Sequence, residues 1–461
     1  MLGIALLALT VVRLGHRGGP KLPTFAPGAG IDHATLDPLA YDARRRAVLE
    51  ARAALGLSHV LYAKSPGGAI ATAGRVARWR PLVETVAREH RDDPNLLEAM
   101  VFLESAGRPD AQASNDLRGA VGLTQILAET GRDLLGMHID LRTSARLTRG
   151  IARGHRVRAR EAARRRVDPR FDPRASLEAT ARYLAFAQAH LGGRVDLAVA
   201  SYHMGVGNLQ QAVAAYGAGD VPYAQLYFDS SPLKHPAAWA KLASLGDDSS
   251  TYLWRVFAAR DIMRLYRRDP AGLRRLQWLQ GQKASAEEVL HPPDETLSFA
   301  DPAALGQAEA AGQIVPLRGG QLARHGVRVD RSMGALARTV GTDREEYRGL
   351  RPEALAALLA LGSGTQAISR EPAPLIVTST VRDARYQRVL AAHDLEATHG
   401  FSLHTTGWAF DVARMYRSRA QALAFQFMLD RMTALGLIAW VREPQAIHVT
   451  ASPLARDLLG G

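Results

Sequence analysis

Residues 93–105 read DPNLLEAMVFLES, and the reading of this stretch decides the fold of the first two thirds of the chain. Asp93 ahead of Pro94 is a helix-entry signal, because an aspartate side chain accepts from free backbone N–H groups and proline suits the first turn. The apolar run that follows predicts a helix packed into a core, and it ends on Glu104. A carboxyl flanked by Met100, Val101, Phe102 and Leu103 is partly desolvated. Burial raises a carboxyl pKa, so Glu104 can hold a proton near neutral pH, as a general acid for glycosidic cleavage must.

Outward from this helix the chain keeps helical periodicity, over residues 44–57, 76–90, 176–191 and 252–266. At 461 residues it exceeds one ordinary core, which predicts two or three domains. The expected division is a signal peptide or N-terminal anchor (1–17), a linker and helical region (18–75), a helical catalytic domain (76–280), a connector (281–365) and a smaller α+β domain (366–461). Strand-like runs at 375–379, 437–441 and 446–450 support the last of these. The apolar run from Leu2 to Val12 is short for a bilayer span and fits an export signal, cleaved or retained as an anchor. A buried N-terminal helix is the competing reading, and the Gly/Pro-rich stretch after it disfavours that.

The chain has no cysteine, which excludes disulfides and thiolate chemistry and leaves His and carboxylates as metal ligands. Its net charge of +13 attracts polyanions. No zinc-finger or RNA-binding aromatic pattern accompanies that charge, so a nucleic-acid partner is not expected. Residues 142–174 hold twelve arginines, with Arg164, Arg165 and Arg166 consecutive. They read either as a solvated helix face or as a docking surface for an anionic wall or membrane.

Three separated blocks surround the Glu104 reading. They are FLESAGRPDAQAS (102–114), GAVGLTQILAETG (119–131) and a long segment, 171–213, containing ASYHMGVGN (200–208). The Gly119–Gly122 turn would let backbone approach a sugar closely. Gln125 is placed to bond a sugar acetamido or hydroxyl group. Tyr202 is placed to pack on a sugar face, with Gly205 and Gly207 keeping the groove open. Asp110 and Asp116 lie near in sequence without a claim to be a second catalytic carboxylate, and Asp116 reads as a turn residue.

In order and spacing these blocks resemble the soluble lytic transglycosylase family, whose fold is similar to goose-type lysozyme. The resemblance runs from about residue 81 to 266. It covers Glu104-Ser105, the G-A-x-G-L-x-Q block ending at Gln125, Phe171-Asp172-Pro173, Tyr183-Leu184, the block from Ala200 to Asn208, and Tyr252-Leu253. Thr124 stands where the family has Met, Leu127-Ala128-Glu129 where it has a Met-Pro pair, and His203 where it has Asn. The resemblance implies a mainly α lysozyme-like domain. It also implies Glu104 as the single catalytic acid/base, and Ser105, Gly122, Gln125, Tyr202, His203, Asn208 and Tyr252 against the glycan. The implied reaction breaks the MurNAc–GlcNAc bond while the MurNAc C6 hydroxyl closes an anhydro ring, with no cofactor. Rival readings are a hydrolytic muramidase and a non-enzymatic wall-binding scaffold. All three place the protein in the cell envelope, with glycan strands and stem peptides as partners.

The C-terminal region carries a second constellation. His404 and Asp411 bracket Gly407, and His448 follows on a later strand; two His and one carboxylate make an open zinc site. Glu443 is a candidate base beside it, and Arg382 a fork for a substrate carboxylate. The pattern Ser402, His404, Gly407, Ala409, Asp411, preceded by Ser379 and Arg382, resembles zinc D-Ala-D-Ala carboxypeptidases. That family sets its catalytic Glu three residues before the last His, whereas Glu443 stands five before His448. The expectation is therefore a zinc peptidase or a wall-peptide-binding module.

Overall fold

The computed structural model describes residues 39–459, apart from 247 and 394–396. The N-terminal run read as an export signal, and most of the linker after it, lie outside the described residues. The chain divides into two compact units, one holding residues 41–277 and the other 278–461.

The first unit is helical. Its central helix, Pro94–Ser105, starts as the sequence predicts: Asp93 is extended and its carboxylate accepts from the Asn95 N–H, with Pro94 in the first turn. The cap contributes about 1 kcal/mol. Leu97, Met100, Val101 and Phe102 are all buried, at about 1.5–3 kcal/mol each, so packing outweighs the cap in fixing the helix. It packs against Tyr252–Arg268, whose Trp254 is fully buried among Tyr223, Tyr227 and Phe228. Pro173–His190 and Val206–Tyr216 pack on Val195–Met204, which packs in turn on Tyr252–Arg268.

Residues 106–129 form a loop with only the isolated bridges Gln112↔Val121 and Val121↔Ile126. A loop this long needs an internal anchor, and Arg170 supplies it. Arg170 is fully buried and makes a two-pronged pair with fully buried Asp168, both N–O distances being 2.9 Å. Its remaining N–H groups donate to the carbonyls of Leu117, Gly119 and Ile126 at 2.8–3.2 Å. Asp168 in turn accepts from Ser144 Oγ at 2.9 Å.

The second unit carries a five-stranded sheet in the order Val327–Val329, Leu375–Ser379, Ala409–Ala413, Ala446–Ala451, Ile438–Arg442. The first pair is parallel and the rest antiparallel. The helices Pro352–Ser369 and Arg419–Ala434 pack on each other and against the strands. A second core gathers Phe299, Leu305, Ile314, Tyr347, Val381 and Tyr386. Residues 281–365, expected as a connector, are thus built into this unit, supplying an edge strand and the long helix Pro352–Ser369. That helix is apolar nearly all round, which suits a buried helix and hides the one-sided periodicity that marks a surface one.

Candidate functional site

In the first unit Glu104 ends the central helix, where Ala106 turns left-handed (φ +54°) and terminates it. The carboxyl is half-buried by exposure, and Tyr252 Oη donates to its Oε1 at 2.6 Å. Burial pushes the Glu104 pKa up; the Tyr252 hydrogen bond and the nearby His203 and Arg255 pull the other way without cancelling it. Among the described residues no carboxylate acts electrostatically on Glu104.

Aromatic rings stand beside it. Tyr202 stacks on Tyr252 with ring centroids 6.3 Å apart, His203 stacks on Tyr252 at 5.4 Å, and Tyr183 meets Tyr202 edge-on. Tyr202 Oη donates to Thr124 O at 2.8 Å, tying this ring to the 106–129 loop. His203 Nδ1 lies 2.7 Å from Ser249 Oγ, and the Asn208 side chain bridges Met204 O and Lys241 Nζ. No atom lies within 4 Å of a Cβ built on Gly205 or Gly207, so that side of the site is open.

Several residues expected against the glycan also have internal partners. Ser105 is fully buried and its hydroxyl donates to Val101 O. The Gln125 amide nitrogen donates to Ala111 O and Gly122 O. Gly122 sits at φ +85°, and a Cβ there would meet Arg170 O at 1.8 Å, so the protein's own backbone demands this glycine rather than an approaching sugar. Asp116 accepts from the Arg118 N–H, the turn role read from the sequence.

The arginine-rich segment also divides. Arg164 is buried, its guanidinium 3.8 Å from the Phe171 ring centroid, so it belongs to the core and leaves the docking set. Arg165 and Arg166 are exposed.

In the second unit, strand register assembles the predicted metal residues. Asp411 pairs directly with His448, and Ser379 with Asp411, so their side chains form one row across the sheet. His404 arrives from the short helical turn Leu403–Thr406, which Gly407 closes at φ +76°. His404, Asp411 and His448 are all buried, with donor atoms within 4.8 Å of one another. His404 Nε2 lies 3.2 Å from Asp411 Oδ2, and His448 Nδ1 lies 2.9 Å from Asp411 Oδ1. Ligands bonded tetrahedrally to zinc at about 2.0–2.1 Å stand about 3.4 Å apart, and the two Asp411 separations, 3.2 and 2.9 Å, lie near that spacing, so these residues could hold such an ion. His404 Nδ1 lies 2.8 Å from Thr380 O, which leaves Nε2 facing Asp411. Burial, then Arg382, lowers the His404 pKa to about 4, which keeps the ring neutral. Burial works to raise the Asp411 pKa, but His404 and His448 outweigh it and hold the carboxylate well below its usual range.

Arg382 Nη2 donates to Ser379 Oγ at 2.7 Å and stands 3.6 Å from Asp411 Oδ2. Three residues before His448 stands Gln445, exposed in the hairpin where the resemblance expects Glu. Val441 pairs with His448, and Glu443, two residues on, follows Val441 onto the His448 face, its N–H donating to Ala446 O. Pro444 thus shapes the hairpin instead of separating Glu443 from the histidine. Nothing in the sequence distinguishes Arg170 from the other arginines around it. Nor does anything there mark Glu287, whose Oε2 lies 3.5 Å from His448 Nε2 and more than 160 positions away along the chain.

The first unit is helical, with Glu104 set beside a cluster of aromatic rings. Residues 81–222 match the family model of the Transglycosylase SLT domain, which supports lytic transglycosylase-type action on peptidoglycan and, with it, a place in the cell envelope. Tyr252, which holds Glu104, falls beyond the matched residues. No curated protein matches the chain. No helix among the described residues is long and apolar enough to cross a membrane.

Proposed function

We propose that the first unit cleaves the MurNAc–GlcNAc bond of peptidoglycan with Glu104 as its only catalytic carboxyl. The observation that carries this reading is the carboxyl itself: raised in pKa by burial, held by Tyr252 Oη, and acted on by no carboxylate among the described residues. Glycosidases with two carboxylates keep them about 5–9.5 Å apart. With one, Glu104 protonates the leaving oxygen and then takes the proton of the MurNAc C6 hydroxyl as that oxygen closes the anhydro ring. Tyr202 and His203, beside Tyr252, are proposed to line the sugar groove, and exposed Arg165 and Arg166 to add attraction to an anionic wall that salt would screen.

The pH profile tests the acid. A general acid works below its pKa, so the alkaline limb of turnover should lie well above the ordinary Glu value of about 4.3. Tyr252 donates to the carboxylate and thereby favours its charged form. Tyr252→Phe should therefore move that limb further up. A limb near 4.3, or one moving down in Tyr252→Phe, would contradict the assignment.

For the second unit we propose a zinc site held by His404, Asp411 and His448, which recognises wall stem peptides through Arg382. Bound zinc would supply Lewis acidity toward a peptide carbonyl. Glu443, on the His448 face, is the group proposed to move a proton there. The full chain should bind about one zinc, and His404→Ala should lose it. Zinc-free wild-type protein after reconstitution would end this reading.

A further inference from the structure

Both nitrogens of His448 face a carboxylate. Nδ1 is 2.9 Å from Asp411 Oδ1, and Nε2 is 3.5 Å from Glu287 Oε2. Thr450 Oγ1 lies 3.3 Å from the same Nε2. Glu287 is buried at 5% exposure and opens the short helix Glu287–Leu290; Ser285 Oγ donates to its Oε2 at 3.4 Å. Two carboxylates suit either a doubly protonated ring or, where a cation sits beside Asp411, a ring that carries its proton on Nε2 and presents Nδ1 to that cation. His404 has the matching arrangement, with Thr380 O at its far nitrogen.

We infer that Glu287 is the positioning residue of the metal site: its carboxylate, 3.5 Å from His448 Nε2, favours a proton on that nitrogen and so favours the tautomer that presents Nδ1 to zinc. The inference rests on the zinc reading above. Asp411 sits between His404 Nε2 and His448 Nδ1, so the ion would occupy the place now bridged by contacts among these three donors. A carboxylate at the far nitrogen of a ligating histidine makes the ring a stronger donor, and losing such a partner typically costs 10–100-fold in metal affinity. Thr450 is a neutral neighbour that can accept from or donate to Nε2, so it does not by itself select a tautomer. Glu287 can only accept when ionised, and it selects Nε2–H.

The test uses the full chain, stripped with chelator and titrated with zinc against a chromophoric competitor, then loaded with cobalt(II) for its visible spectrum. Glu287→Gln keeps the shape and removes the charge. It should bind zinc about 10–100-fold more weakly and shift the cobalt bands, while the metal-free melting temperature stays that of wild type. Glu287→Ala should bind no more tightly than Glu287→Gln. Wild-type affinity and an unchanged cobalt spectrum in Glu287→Gln would overturn the inference while leaving the zinc site standing. A weaker affinity matched by an equal loss of metal-free stability would also overturn it, by making Glu287 a packing residue. Wild-type protein that takes up no zinc would instead bring down the metal reading itself.

Discussion

Arg170→Met is expected to lower the stability of the first unit by about 3–5 kcal/mol, the usual effect of leaving one partner of a buried ion pair alone. For a unit of this size each kcal/mol moves the melting temperature by about 2–4 °C, so a fall of roughly 10 °C should be seen by calorimetry. Two costs combine. Asp168 keeps Ser144 Oγ and the charge of Arg164 but loses its two-pronged partner, and the carbonyls of Leu117, Gly119 and Ile126 lose their donor. The double variant Arg170→Met, Asp168→Leu removes the uncompensated charge but not the orphaned carbonyls, so it should recover part of the loss. Glycan turnover should fall in both, because the anchored loop meets Tyr202 through Thr124 O. Unchanged melting and unchanged turnover in Arg170→Met would show that this loop is held by something else.

Glu104→Gln is expected to lower glycan turnover by at least about 10²–10⁴-fold, the range that one general acid/base supplies. Gln keeps the shape and can still accept from Tyr252 Oη, so the fold and the binding of sacculi should remain. What is removed is the proton for the leaving oxygen and the base for the C6 hydroxyl. With no carboxylate among the described residues acting on Glu104, little residual activity should survive. Turnover within a few-fold of wild type would favour a wall-binding scaffold.

Much of the first unit was legible because its signals are local. Asp93-Pro94 and the apolar run define the central helix, and the helix observed at Pro94–Ser105 follows them closely. Glu104 could be singled out because desolvation at a helix end follows from its immediate neighbours. Arg170 could not, since being buried against Asp168 and three carbonyls is a matter of tertiary placement. For the same reason Gly122 looked like a substrate contact; its real constraint, Arg170 O, is 48 positions away. In the second unit the strands over 375–379 and 446–451 were visible as apolar runs, but Ala409–Ala413 was hidden inside the metal motif. Its register puts Asp411 opposite His448, and the hairpin sets Glu443 on the same face, a placement that the five-residue spacing does not reveal. Glu287 gave no signal, because it reaches His448 from the span read as a connector.

The central claim is that Glu104 cleaves wall glycan without water as a reactant. Mass analysis of sacculi digested by the full chain tests it most directly, with Glu104→Gln run in parallel. Wild-type protein should release muropeptides ending in 1,6-anhydro-MurNAc, each one water lighter than a hydrolytic product, and Glu104→Gln should release almost none. Reducing MurNAc ends from the wild-type protein would contradict the claim and make the enzyme a hydrolytic muramidase.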